Sequence, residues 1–176
     1  MEKFAALYAA SAGARAGGLH DALLREIELD NPHAVFPLLR AYVDLVIVTM
    51  EVRRNPSYAA VVAHDPRTTT LGRRRKTSQS LVNAAMREVP DMRAAWDLLS
   101  EMGGHFGWAA FQTPMTFEHL PDGGRQIVVS TGRGWQDPEM KAASHKHVDN
   151  LTRSMANLLV DIVHVATKDD GGERSC

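Results

Sequence analysis

The chain has 176 residues, of which 44% are hydrophobic and 23% charged, and its formal net charge is −1 at neutral pH. These values are typical of one globular domain with a sizeable core, and they argue against a dedicated nucleic-acid or anionic-membrane protein, which usually carries a strong basic excess. Cys176 is the one cysteine, so a disulfide within the chain and a cysteine-based metal site are both excluded.

The first predicted element covers residues 2–30, which are rich in alanine and leucine. This segment contains Gly13, Gly17 and Gly18, and each interior glycine costs about 1 kcal/mol relative to alanine in a helix. Two interpretations follow. The segment is one long helix with small residues at a close helix crossing, or it is two helices with a break near 17–18.

The second helix is predicted to begin at Asn31-Pro32, with asparagine as the N-cap and proline at the first helical position. It should run to about Arg54. Its middle could be read as a strand from periodicity alone, but the cap and the length favour a helix. Because this middle is apolar nearly all round, we expect it to be the most buried helix of the fold.

Four further segments have helical patterns. They are a short helix ending at His64, helices over 77–88 and 91–102, and a long final helix opened by Asp137-Pro138. Apolar side chains of the final helix recur at steps of three and four residues, namely Val148, Leu151, Met155, Leu158, Ile162 and Val165. Such a seam suits bundle or coiled-coil packing. Together with the glycine-containing first segment, it predicts a homodimer.

Residues 115–130 have a different pattern, in which two short runs flank the turn-rich PDGG and predict a β-hairpin. The expected architecture is all-α. It is a mostly antiparallel bundle of five to seven helices in a single domain over 1–167, with a small peripheral hairpin and a disordered tail over 168–176. We recognise no signal peptide and no apolar run near the roughly 20 residues that cross a bilayer, so we expect a cytoplasmic protein without membrane contact.

The second helix carries a polar stripe. At about 100° per residue, Arg40, Asp44, Glu51 and Arg54 fall on one face, and Arg40 and Asp44 have the i,i+4 spacing of a pair. The stripe is either a charged site within the bundle or simply the solvent edge of the helix. Burial of Arg40 would weigh against the second interpretation, because a buried charge must be paired.

The segment LLSEMGGHFGW, residues 98–108, contains the best single site candidate. Its double glycine is typical of a helix end, after which His105 leaves the helix at a defined angle. Histidine titrates near neutrality and suits a general acid or base; the alternative is a hinge in which Phe106 and Trp108 anchor the turn in the core. The predicted catalytic residues are His105, Arg40 and Asp44, and the predicted ligand-binding residues are Ser100, Glu51 and Trp108.

Two polar runs have mainly structural interpretations. In SHKHVDN, His145 and Asp149 share a helix face but His147 points about 160° away from His145, so neither a metal site nor a cofactor is predicted. The run RRRK is interpreted as a solvated loop. The alternative is contact with RNA phosphates through four cations, Arg73, Arg74, Arg75 and Lys76.

Two short motifs resemble a loose group of bacterial and phage helical proteins of unknown function. That group has an LLR-x-x-x-D/E helix, a later LS-x-x-x-x-H segment, a short hairpin and a long last helix. The resemblance covers about residues 20–165, and the matching positions are Leu38, Leu39, Arg40, Asp44, Leu99, Ser100 and His105. It implies that Arg40, Asp44 and His105 meet in one polar pocket under the hairpin.

In some of these proteins the helical core resembles HEPN domains, which implies RNA cleavage or binding. The present chain has no Arg-x(4–6)-His near its last helix, but Arg15 and His20 match that spacing in the first helix. We therefore expect a non-enzymatic cytosolic module that binds a partner protein or small ligand in a phage- or defence-related setting. The alternative is a HEPN-like ribonuclease or toxin acting as a dimer, with His105 or His20 as acid/base and Arg40 or Arg15 stabilising phosphate charge.

Overall fold

The computed structural model describes residues 2–63, 76–103, 115–119, 123–129, 134–135 and 138–169. Within these ranges the protein is all-α, as predicted. The helices described are α1 (Glu2–Glu28), α2 (Pro32–Arg54), α3 (Tyr58–Ala63), α4 (Ser78–Ala85), α5 (Met92–Gly103) and α6 (Pro138–Asp169). None of them combines the length and the apolar character that a membrane crossing requires.

The first segment is one continuous helix. Because α1 runs without interruption through Gly17 and Gly18, the alternative of a break there is wrong. The buried side of α1 near its start consists largely of small residues, namely Ala5, Ala9, Ala12 and Ala16. A Cβ added at Gly13 would lie 3.5 Å from Leu159 of α6. Small side chains at a crossing allow two helix axes to approach closely, and this is the role they have here.

The helix α2 begins at Pro32 and ends at Arg54, the bounds that the sequence predicts. The predicted cap differs in its detail. The Asn31 side chain makes no capping hydrogen bond and instead donates from Nδ2 to the Glu26 carboxylate at 2.7 Å. Asn31 therefore occupies the N-cap position, but its side chain is oriented by the preceding helix and its Oδ1 does not accept from the first N–H groups of α2.

The helices α1 and α6 run antiparallel. Gly13 faces Leu159, and about two turns later on α1 the His20 imidazole lies 3.0 Å from the Thr152 hydroxyl. As the residue number rises on α1, it falls on the facing part of α6. Because α1 also turns back onto α2 through the short connection at 29–31, the first, second and last helices form the body of the bundle.

The predicted seam of α6 is buried inside this body. Val148, Met155 and Ile162 are almost fully inaccessible, whereas Val165 near the end of the helix is 46% exposed. The seam packs against α1 and α2 of the same chain. It therefore does not supply the surface from which a homodimer was predicted. The helix continues to Asp169, and residues 170–176 lie outside the described residues.

Two five-residue strands lie in the range where a hairpin is predicted. They are β1 (Met115–His119) and β2 (Arg125–Val129), which pair antiparallel from Met115 opposite Val129 to His119 opposite Arg125. Within the described part of the chain these strands contact each other and none of the helices. The described helices alone support the all-α class.

Candidate functional site

Three of the predicted site residues meet between α2 and α5. Arg40 and Asp44 lie one turn apart on α2 and form an ion pair. The Arg40 Nε donates a hydrogen bond of 2.9 Å to the Ser100 hydroxyl on α5. Only 15% of the Arg40 side chain is exposed, so the interpretation of this stripe as a solvent edge does not hold for Arg40.

Trp96 completes this group, and sequence reasoning did not include it. The Arg40 guanidinium carbon lies 4.1 Å from the centroid of the Trp96 ring, and the indole Nε1 donates to the Asp44 carboxylate at 3.1 Å. The Ser100 hydroxyl donates to the backbone carbonyl of Trp96 at 2.7 Å. Trp96 precedes Ser100 by four residues, so the shared helix face was a signal that could have identified it. We call Arg40, Asp44, Trp96 and Ser100 the polar cluster.

The charges of the polar cluster compensate each other within the cluster. The two ionised groups, Arg40 and Asp44, are of opposite sign and adjacent. Each Asp44 oxygen has a partner, since Oδ2 faces Arg40 and Oδ1 accepts from Trp96. The Arg40 Nη1 is buried with no well-aligned hydrogen bond, so the Asp44 carboxylate beside it is its source of compensation. A guanidinium committed in this way is poorly placed to take up a phosphate as well.

Glu51 lies apart from the polar cluster, two turns further along α2. It is only 4% exposed, and its carboxylate pairs with the Lys76 ammonium at 2.6 Å and lies 4.0 Å from Arg54. The Lys76 backbone N–H donates to the Tyr58 hydroxyl at 3.1 Å. The predicted ligand-binding carboxylate is therefore neutralised by one of the four predicted RNA contacts. The other three, at 73–75, lie outside the described residues.

Two further predicted site residues, His105 and Trp108, also lie outside the described residues, in the range 104–114. The expectation that His105 meets Arg40 and Asp44 therefore stays a prediction. Ser100, which precedes His105 by five residues, does contact Arg40.

The Arg15 and His20 pair does not converge. Its members are five residues apart on one helix, which places them about 140° apart around the axis. His20 faces α6, where its Nδ1 lies 3.0 Å from the Thr152 hydroxyl, which also accepts a hydrogen bond from Tyr42 at 3.1 Å. Arg15 is exposed on another face of α1. Proton transfer and phosphate stabilisation by this pair would need two side chains on one face.

A cavity of about 400 Å³ lies between α2, α5 and α6. We call it the three-helix cavity. Its wall is apolar apart from Asp91, Ser144 and His147, and the apolar lining consists of Phe36, Leu39, Val43, Val89, Met92, Ala95, Leu98, Leu99, Met102, Met140, Ala143 and Leu151. Ser144 is buried and donates its hydroxyl proton to the Met140 carbonyl at 2.9 Å. Asp91 and His147 are exposed, which places them at the rim.

Comparison with known proteins adds no relative, because no protein-family model, curated protein or solved structure matches this chain. Among the residues that the structure describes, no group of three or more histidine, cysteine, aspartate or glutamate side chains is arranged to hold a metal ion. The functional interpretation therefore depends on the polar cluster and on the cavities.

Proposed function

We propose that the chain is a non-enzymatic helical module that binds a small apolar ligand in the three-helix cavity. The cavity carries this proposal, because its volume of about 400 Å³ falls within the range of small-molecule sites, about 300–1,000 Å³. The cavity is open to solvent, because Val89, Leu98 and Met140 of its wall are exposed. Large apolar side chains left accessible around one concave surface are typical of a binding site.

The lining defines the class of ligand. Aliphatic and aromatic side chains from three helices favour an apolar body. The charged or titratable groups, Asp91 and His147, lie at the exposed rim, where they suit one polar end of the ligand directed towards solvent. An ionised group deep in the cavity would lose its hydration without a partner, which is costly. The proposed ligand is therefore uncharged over most of its length.

Binding is better supported than the ribonuclease alternative. In a ribonuclease, cations should be free to stabilise phosphate charge, whereas Arg40 is committed to Asp44 and Ser100 and Lys76 to Glu51. Arg15 is exposed, but it lies about 140° around the axis of α1 from His20, the acid/base that it would have to assist. The cytoplasmic location, the phage- or defence-related setting and the homodimer are parts of the proposal that rest on the sequence alone.

The proposal is tested by titrating the protein with N-phenyl-1-naphthylamine, a neutral apolar probe whose fluorescence rises on leaving water. Ala95→Phe places a ring in the three-helix cavity, because Ala95 is part of its wall. Ala94→Phe is the matched control, since Ala94 precedes Ala95 on the same helix, is exposed as Ala95 is, and does not line the cavity. We expect Ala95→Phe to weaken binding about tenfold or more and Ala94→Phe to change it by less than about twofold.

Equal binding by the two variants would overturn the proposal, as would the lack of saturable binding to the unmodified protein. A second signal comes from Trp135, whose ring meets Phe36 of the cavity wall edge-on, with centroids 5.9 Å apart. A ligand that occupies the cavity should change the fluorescence of Trp135. Most of that change should be lost in Trp135→Phe.

A further inference from the structure

A second concave surface lies on the opposite side of α2, between α1, α2 and α3. It is a groove with a volume of about 620 Å³, and we call it the α1 groove. One edge is formed by Leu7, Ser11 and Arg15, which follow one another at steps of four residues on α1. These positions share a face, and the distance along the axis from Leu7 to Arg15 is about 12 Å at 1.5 Å per residue.

One end of the α1 groove is apolar and the other end is charged. Its first end is apolar, with the exposed Leu7 on α1, Val48 on α2 and Val62 on α3. Tyr8 and Thr49, which share a hydrogen bond of 2.8 Å, fix the start of α1 beside this part of α2. Because α1 and α2 run antiparallel, the other end of the groove brings together residues from later on α1 and earlier on α2.

That other end carries the charges, with Arg15 on α1 and Asp44 on α2. Asp44 is already compensated, since its carboxylate pairs with Arg40 and accepts a hydrogen bond from the Trp96 indole. Arg15 is exposed and makes no ion pair or hydrogen bond with any other residue that the structure describes. The uncompensated charge at the polar end is therefore positive.

We propose that the α1 groove binds a linear amphiphilic anion of the alkanoate class, with its carboxylate on Arg15 and its alkyl chain running along α1 towards Leu7, Val48 and Val62. A guanidinium offers two parallel N–H donors that match a carboxylate. The apolar end supplies the burial that drives the chain into the groove. This site is separate from the three-helix cavity, so neither proposal depends on the other.

The experiment compares decanoate with decanol, which has the same alkyl chain and no charge, by isothermal titration calorimetry near neutral pH. Both titrations use the Ala95→Phe background, in which the added ring weakens binding to the three-helix cavity. We expect decanoate to bind about two- to fivefold more tightly than decanol, the preference that an exposed ion pair provides, and Arg15→Gln to remove that preference. Since Arg15 is exposed, the preference should also fall as salt is added.

Arg25→Gln is the matched control, because Arg25 is an exposed arginine on the same helix that pairs with Glu26 and does not line the groove. It should leave the preference for decanoate unchanged. Ala41→Leu narrows the groove, which Ala41 lines, and should weaken both ligands. Three results would overturn the proposal: decanoate fails to bind, decanol binds as tightly as decanoate, or Arg15→Gln keeps the preference.

Discussion

Replacing Arg40 with methionine tests whether the polar cluster stabilises the contact between α2 and α5. The substitution keeps a long unbranched side chain but removes the guanidinium that contacts Asp44, Trp96 and Ser100. Arginine and methionine have similar helix propensities, so the helix itself should be little affected. A change in stability therefore reports the loss of contacts between the two helices.

The magnitude follows from the individual contacts. A hydrogen bond from a charged donor such as that from Arg40 to Ser100 contributes about 1.5–3 kcal/mol. The contact with the Trp96 ring adds about 1 kcal/mol, and the i,i+4 pair with Asp44 adds about 0.5 kcal/mol. Burial of the methionine offsets part of this loss. Asp44, which is 47% exposed, can be hydrated after the change. We expect a net loss of about 2 kcal/mol in the free energy of unfolding.

The assay is urea unfolding followed by circular dichroism at helical wavelengths. Arg93→Met is the matched control, because Arg93 makes only exposed contacts, namely an i,i+4 pair with Asp97 at 2.8 Å and a hydrogen bond of 3.2 Å to Asn83 on α4. Exposed contacts of this kind should together contribute no more than about 1 kcal/mol. If Arg40→Met lowered the free energy of unfolding no more than Arg93→Met, the polar cluster would not stabilise the contact between α2 and α5. Its residues would then need the ligand or catalytic role predicted from the sequence.

Three other substitutions should have distinct effects. Burial raises the pKa of the Tyr8 phenol above its usual value near 10. As the pH rises, Tyr8 therefore ionises in the unfolded chain before it does so in the folded protein. The contribution of Tyr8 to the free energy of unfolding is complete below about pH 10 and is lost as the pH rises through the folded-state pKa. Tyr8→Phe should remove this alkaline loss in urea titrations at increasing pH. Gly17→Ala should raise the stability by about 0.5–1 kcal/mol in thermal melts, because an added Cβ meets nothing within 4 Å. Lys76→Met should cost about 2 kcal/mol in urea unfolding by leaving the Glu51 carboxylate buried beside a more distant arginine, and Lys76→Arg should retain most of the stability.

Each of these substitutions has an outcome that contradicts its reasoning. An alkaline decline in Tyr8→Phe that parallels the unmodified protein would assign the decline to other groups. A destabilised Gly17→Ala would mean that the surface of α1 near Gly17 is covered. A fully stable Lys76→Met would show that the buried Glu51 carboxylate does not need the Lys76 ammonium.

Most helix boundaries could be predicted because their signals are local. Pro32 fixes the start of α2, with Asn31 at the N-cap position. The helix predicted over 77–88 ends earlier, at Ala85. The orientation of the Asn31 side chain could not be predicted, because its Nδ2 donates to Glu26 across the turn between the two helices.

The contacts between helices could not be predicted in the same way. Spacing shows that Arg40 and Glu51 share a face of α2, but not that Trp96 covers the first or that Lys76 neutralises the second. These partners are distant in sequence and depend on how α5 and the segment before α4 pack. Periodicity likewise shows that the α6 seam is buried, but not whether the covering helix belongs to the same chain.

The polar cluster and the three-helix cavity are two sides of one interface. Leu39 and Val43 of the cavity wall each precede a cluster residue on α2, and Ala95 and Leu99 do the same on α5. A shift of α5 along α2 would therefore break the hydrogen bonds and misalign the cavity wall together. Aliphatic contacts tolerate small sliding, whereas hydrogen bonds from an arginine and an indole require a defined distance and angle. The cluster therefore fixes the register of the cavity wall, although none of its four side chains lines the cavity.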